Sequence, residues 1–323
     1  MSLPEYAFFK GQVRKYQDCK VGLLTNALNY GTACFAGLRG YWNEEEEQLY
    51  VFRVQDHFRR FLKSARLLMI DTGYSVDELA SATLELLRAE GHREDCYVRP
   101  LAFLSVEAIG VKLNDMESSL SIVTVPFGRY VDAEEGAHVT FSAWRRVDDN
   151  AIPARGKIAG SYVNSAFIKT DALLAGFDEA LVLNQDGHLS EGSAENIFVI
   201  RDGIAATPSI TDNVLEGITR RTVMQMLRDD IGMEVQERSI DRTEIYLADE
   251  VFFCGTGVQI AAITRVDYRS IGTGKMGPVV SELRDLYFNT VRGKEDKYRH
   301  WCTPVYLMQE EQASAEAAIA SAD

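Results

Sequence analysis

Long apolar runs are missing from this 323-residue chain: none approaches the ~20 residues that a membrane-spanning helix needs. The start, Met1-Ser2-Leu3-Pro4-Glu5, lacks the basic-then-apolar pattern of a secretory leader, so the expected location is the cytoplasm. Basic residues are short as well. Lys and Arg total 34 against 48 Asp and Glu, and the resulting formal charge of −14 repels phosphate backbones and anionic bilayers. Nucleic acid and membrane surfaces are therefore disfavoured as partners, and small soluble substrates favoured. The five cysteines (Cys19, Cys34, Cys96, Cys254, Cys302) are odd in number, far apart and never in a C-x-x-C pair, which suggests neither a disulfide framework nor a zinc cluster. The five histidines are equally scattered, without H-E-x-x-H or another ligand spacing, and no metal is expected. No internal repeat is present.

At about twice the usual single-domain length, the chain is expected to form two lobes or one large α/β unit. Tyr6 to Arg14 reads as a hairpin around Lys10-Gly11, followed by a helix from Ala27 to about Leu38. Phe58, Phe61, Leu62, Ala65 and Leu68 recur at threes and fours, a helical stripe over residues 57–70. Ser75-Val76-Asp77-Glu78 starts a further helix with a capping box, and Gly91 stops it. Residues 97–104 and 119–126 are β-rich. The polar, acidic stretch 128–136 predicts a linker between a small N-terminal α+β domain (1–127) and a larger C-terminal one (137–308). In the second half, strands over 138–143, 179–184, 196–201, 234–238 and 250–254 are interspersed with helices over 161–175, from Ile218, near Tyr246 and over 278–291, an α+β pattern; the Gln185-Asp186-Gly187 turn is placed between the second and third of these strands. Residues 309–323 hold almost nothing to bury and are expected to be disordered. Residues 271–277 superficially suggest a phosphate loop, but Met276 stands where a hydroxyl must meet magnesium, so they read as a turn.

Lys157 lies among small residues, Ala154-Arg155-Gly156-Lys157-Ile158-Ala159-Gly160, just before a helix. Such neighbours leave room for a bulky group on its nitrogen, and crowding desolvates an ammonium into a carbonyl-reactive amine. Taken alone, a loop lysine is more often a solvated surface residue. Ser190-Glu191-Gly192-Ser193-Ala194-Glu195-Asn196 puts acids in a turn of tiny residues. A carboxylate there can pair with a buried cation, such as the protonated pyridine ring that lets pyridoxal phosphate accept electrons, or simply stay solvated. Val214-Leu215-Glu216-Gly217-Ile218-Thr219 opens a helix whose free N–H groups suit a phosphate. Cys254-Gly255-Thr256-Gly257 closes a strand with a second set of backbone donors; an ordinary cap and an ordinary turn are the plain alternatives.

Taken in order, Lys157, the Glu191-to-Phe198 segment and the Leu215-to-Arg220 segment resemble the signature of the class IV aminotransferases, pyridoxal-phosphate enzymes of fold type IV. Within that class the chain is similar to the branched-chain amino-acid aminotransferases, through residues 28–39, Tyr97-Val98-Arg99-Pro100-Leu101, 246–251 and 301–306, so that the likeness runs from Tyr6 to Tyr306. The resemblance implies a two-domain α+β fold like that of D-amino-acid aminotransferase, a homodimer, and pyridoxal 5′-phosphate as cofactor. It makes Lys157 the Schiff-base lysine and proton shuttle, Glu191 the partner of the pyridine nitrogen and Tyr162 a donor to the phenolic oxygen. Arg60, the Gly217-Ile218-Thr219 segment and Thr256 would hold the phosphate; Arg59 is an equally basic neighbour of Arg60. Tyr30, Phe35, Gly37, Tyr97, Arg99, Phe127 and Tyr130 would contact substrate, with the Thr256-Gly257 amides at its α-carboxylate.

One check is independent of the resemblance: the period-two alternation of a strand puts Tyr97 and Arg99 on one face, where an arginine could meet glutamate's second carboxylate or pair with an acid of the protein. The expected reaction is amino transfer between a branched-chain L-amino acid and 2-oxoglutarate. Three departures qualify it. Phe35-Ala36-Gly37 stands where Phe-Glu-Gly is usual, losing a carboxylate, Ala205-Ala206-Thr207 replaces a larger aliphatic, and Gly257-Val258-Gln259 stands where small-small-Glu is common. The rivals are action on D-amino acids or (R)-amines, an aminodeoxychorismate lyase, and, from another class, a non-catalytic scaffold of the same fold, which the joint presence of Lys157, Tyr162 and Glu191 disfavours.

Overall fold

A computed structural model describes residues 3–128 and 136–306. The linker core, Tyr130 within it and the tail lie outside the described residues. The first half contributes β1 (Tyr6–Phe9), β2 (Gln12–Lys15), α1 (Asn26–Tyr30), β3 (Ala33–Phe35), β4 (Leu38–Asn43), β5 (Gln48–Phe52), α2 (Val54–Leu67), α3 (Val76–Glu90), β6 (Cys96–Leu104) and β7 (Ser118–Pro126). The second adds β8 (Ala137–Arg145), α4 (Tyr162–Leu174), β9 (Glu179–Leu183), β10 (Leu189–Gly192), β11 (Asn196–Arg201), β12 (Ile204–Thr207), α5 (Ile218–Asp229) and β13 (Glu234–Glu237). It ends with α6 (Arg242–Ile245), β14 (Glu250–Gly255), β15 (Gln259–Val266), β16 (Arg269–Ser270), α7 (Pro278–Val291) and β17 (Cys302–Pro304).

Two sheets result. One has the order β17-β5-β4-β6-β7-β1-β2, with β3 on β6; the other runs β10-β9-β8-β15-β14-β11-β12-β13, with β16 on β15. Helices α2 and α3 bury Phe58, Phe61, Leu79 and Leu86 against the first. Helices α5 and α7 bury Leu227, Leu283 and Tyr287 against Phe198 and Phe252 of the second, in a core that also takes Tyr41, Tyr50 and Phe52 from β4 and β5. The strand β17 returns to pair with β5. Residues 137–308, expected to form one domain, thus give their last strand to the first sheet. No helix of the described residues is long and apolar enough to cross a membrane.

The helix expected from Ala27 to Leu38 is wrong beyond Tyr30. Gly31 turns left-handed at φ 69° and ends α1, and the chain then enters β3 and β4. Ala33 to Phe35 and Leu38 to Asn43 are buried throughout, as central strands covered on both faces are, and a continuous apolar run does not distinguish such a strand from a helix. The Gln185-Asp186-Gly187 turn joins β9 to β10 rather than leading to β11. Strands β5, β12 and β15 also escape the sequence pattern for the same reason.

Candidate active site

The β8–α4 loop carries Lys157 into the space between the two sheets, and the first half of the chain holds its backbone there. The Lys157 carbonyl accepts from Phe35 N (3.0 Å), its N–H donates to Ser64 Oγ on α2 (3.1 Å), and Gly160 N donates to Gly31 O (3.2 Å). A Cβ on Gly31 would stand 2.8 Å from the Gly160 Cα, so only glycine allows this approach. The Lys157 Nζ donates to Tyr162 Oη at 2.5 Å and lies over the Phe35 ring at 5.1 Å. Burial first, and the Arg60 guanidinium second, bring the amine down to about 8. Burial likewise pushes the Tyr162 phenol up to about 12, so it stays protonated.

Around this lysine lies a cavity of about 700 Å³, bounded by both sheets. On one side α5 begins. It has no side-chain cap, and the Ile218 and Thr219 N–H groups bond to nothing among the described residues. Arg60 reaches across from α2 to the Glu216 carbonyl (3.3 Å). Burial lowers this guanidinium to about 10, and among the described residues no carboxylate lies within ion-pair distance of it. A half-buried cation beside free helix-entry amides is a cradle for an anion. Gly217 must be glycine here, because a Cβ would meet Asn196 Oδ1 at 2.0 Å.

On the opposite side stands Glu191, near the carboxyl end of β10. Its Oε1 pairs with Arg146 Nη2 at 2.7 Å, both side chains buried; its Oε2 accepts from Asn196 Nδ2 (3.1 Å) and Leu215 N (3.2 Å). This carboxylate is fixed and charge-balanced at the cavity wall. Glu195, its neighbour in the turn, differs. Burial, then Glu179, pushes it up to about 8, and its Oε2 accepts from Ala194 N (3.0 Å). Arg146 was invisible as a functional residue in the sequence, since it follows Arg145 at a strand end with no spacing that marks it.

The third wall comes from β6. Tyr97 and Arg99 share a face as period two requires, with Arg99 Nη2 donating to Tyr97 Oη (3.3 Å) and its guanidinium 4.5 Å from the Phe35 ring centroid. Among the described residues no acid pairs with Arg99. Phe127 packs on Tyr97 at 5.3 Å, and a Cβ on Gly37 would fall 1.9 Å from the Tyr97 hydroxyl. Thr256 and Gly257 close the rim; the Gly257 and Val258 N–H groups bond to nothing among the described residues. Tyr30 is not brought to this cavity: it sits on α1, its hydroxyl accepting from Gly110 N at 3.3 Å. Ala36 is fully buried and Phe35 and Gly37 line the cavity instead, so the side chain at 36 does not shape the cavity wall of this chain.

The family model for amino-transferase class IV matches residues 39–266. A probable branched-chain-amino-acid aminotransferase of Aquifex aeolicus is 47% identical over 302 residues, 94% of this chain and 97% of that protein. Among solved structures, the branched-chain aminotransferase of Thermoproteus uzoniensis with norvaline superposes with a TM-score of 0.90 at 40% identity, covering 94% of this chain and all of that one. The branched-chain amino acid aminotransferase of Thermobaculum terrenum in its PLP-bound holo form also gives 0.90, at 37% identity, over 95% of this chain and 100% of that one.

Proposed function

We propose, from the premise that this chain belongs to the class IV aminotransferases, that it moves an amino group between branched-chain L-amino acids and 2-oxoglutarate with pyridoxal 5′-phosphate as resident cofactor. The observation that carries the reading is the joint convergence on one cavity of a low-pKa lysine, a charge-balanced glutamate and an anion cradle. The residues present fit the cofactor: among the described residues Arg60 has no acid partner and the α5 entry amides have no acceptors, and Tyr162 and Glu191 line the same cavity as the lysine. When bound, pyridoxal phosphate supplies the electron sink that stabilises a carbanion at the substrate α-carbon.

The chain supplies the rest. Arg60 with the Ile218 and Thr219 amides would hold the phosphate, Tyr162 would donate to the phenolic oxygen, and Glu191 would keep the pyridine nitrogen protonated. Lys157, with its amine at about 8, is neutral often enough near neutral pH to take the substrate's α-proton, and the ammonium so formed can hold that proton for return. The amides of the rim turn, those of Thr256 and Gly257 with that of Val258 beside them, would receive the α-carboxylate common to donor and acceptor. Phe35, Tyr97 and Phe127 give the side-chain pocket an apolar wall for leucine, isoleucine or valine, and Arg99 at its edge receives the second carboxylate of glutamate or 2-oxoglutarate.

Arg99→Ala tests this division. A charge-assisted pair contributes roughly 1.5–3 kcal/mol, so single-turnover reaction with glutamate should fall about 10- to 150-fold while reaction with leucine changes little. Equal losses would assign Arg99 to the fold or to the shared α-carboxylate. A wild type inert toward leucine but active on D-amino acids or (R)-amines would overturn the substrate assignment.

The functional unit is a homodimer on this reading. Leu23, Leu24, Leu28 (62% exposed) and Tyr30 of the α1 region cluster with Ile109 (74% exposed) through the Tyr30–Gly110 contact, an apolar surface whose occupant is a second copy. Light scattering should give at least twice the 36.1 kDa chain mass, and Leu28→Asp with Ile109→Asp should return it to the single-chain value. A wild type that stays at the chain mass at micromolar concentration rules the dimer out.

A further inference from the structure

Arg39 on β4 is a buried cation that the reading above leaves unused. It is 2% exposed, and among the described residues its hydrogen bonds go to carbonyl oxygens: Nη2 to Phe127 O (2.7 Å) and Gly128 O (2.6 Å), Nη1 to Gly257 O (3.2 Å). Among the described residues its Nε has no partner, and no carboxylate lies within ion-pair distance. Rings stack about it instead, Phe127 at 5.1 Å and Tyr41 at 5.5 Å. A guanidinium removed from water without a counter-charge is costly, and such a group persists where an anion completes it. Its site adjoins the cavity rim, for Phe127 and Gly257 both line the cavity.

The bond to Gly257 O is informative. That oxygen belongs to the peptide whose other end is the unpartnered Val258 N–H, so a cation on the oxygen fixes the peptide's orientation and polarises its N–H as a donor. The same guanidinium grips Phe127 and Gly128, where the first sheet hands the chain to the second, and so sets the distance between the rim turn and the β6–β7 wall. We infer that Arg39 is a positioning residue for the α-carboxylate: it holds the Gly257–Val258 turn in its receiving orientation, and the bound carboxylate balances its otherwise unmatched charge. This rests on the reading of that turn as the α-carboxylate site.

The test uses the cofactor-loaded enzyme, with 4-methylvaleric acid and its primary amide as binding probes followed by the cofactor's visible absorbance. Arg39→Met should weaken the acid about ten- to a hundredfold and the amide less than about threefold, collapsing the preference for acid over amide. The half-saturating concentrations of leucine and glutamate should rise by the same factor as the acid's, with limiting single-turnover rates nearly unchanged. Arg39→Lys, which keeps the charge but cannot span three carbonyls, should restore part of the preference. Equal weakening of acid and amide, or a loss confined to glutamate, overturns the inference. If Arg39→Met fails to fold or load cofactor, the acid-to-amide ratio of Arg39→Lys decides, a ratio at the wild-type value overturning it. The readout is a variant-to-wild-type ratio on carboxylates, so an enzyme that turns out to prefer D-amino acids overturns the substrate assignment and leaves this result standing.

Discussion

Lys157→Ala is expected to reduce steady-state transamination by at least a thousandfold, while cofactor still binds, more weakly, through Arg60 and the α5 entry. The size follows from two roles lost together, covalent capture of the carbonyl and general acid–base transfer, the second alone being worth about a hundred- to ten-thousandfold. The wild-type lysine carries a pH signature. With the amine at about 8, about a tenth is neutral at pH 7, so capture of added pyridoxal phosphate by cofactor-free enzyme should rise nearly tenfold per pH unit below 8 and flatten above it. The sign is that of a base: reactivity appears as pH rises through that value. Inorganic phosphate in the cradle offsets the Arg60 charge and moves the midpoint upward, which a second titration of cofactor-free enzyme, with phosphate present and pyridoxal as the carbonyl, would register. Borohydride reduction and peptide mapping should put the pyridoxyl mass on Lys157. Finding it on Lys169 or Lys10, or a midpoint above 10, would sink the assignment.

What the sequence disclosed depended on whether the signal was local. Helix α3 was legible to the residue, because Ser75 and Glu78 exchange both capping-box bonds (2.7 and 3.2 Å) and Gly91 turns left-handed at φ 68°. Helix α7 was legible through Pro278 at its first position. The shared face of Tyr97 and Arg99 followed from strand geometry alone. Residues 27–38 misled because β3 and β4 are buried on both faces, which erases the alternation that identifies a strand. Arg146 and Arg39 were illegible for a different reason. Their roles arise from partners far along the chain, Glu191 for one and Phe127, Gly128 and Gly257 for the other, and no spacing rule encodes such a meeting. The two acids of one turn, Glu191 and Glu195, were separable only by their surroundings: a cation and two N–H donors meet the first, while the second is buried among other carboxylates.

Glu191→Gln is expected to slow α-proton abstraction by roughly a hundred- to a thousandfold, with the fold and the phosphate cradle intact. A carboxylate beside the pyridine nitrogen favours its protonated form, and losing two units of that preference costs about a hundredfold at ~1.4 kcal/mol per unit. Arg146 adds to the loss. In the wild type its charge is spent on Glu191 Oε1 at 2.7 Å; against an uncharged amide the same guanidinium stays buried and unmatched beside the ring, where it opposes ring protonation. The double variant Glu191→Gln with Arg146→Met removes that opposing charge and should recover part of the lost rate, an interaction between the two sites that simple loss of a contact does not produce. Stopped-flow half-reactions with leucine decide it. Rates of Glu191→Gln within about twofold of wild type would mean that Glu191 is not the ring partner, and Glu195, protonated at neutral pH by its burial, would be the next carboxyl to replace. A double variant slower than the single one would leave Glu191 in place and remove Arg146 from the electrostatic argument.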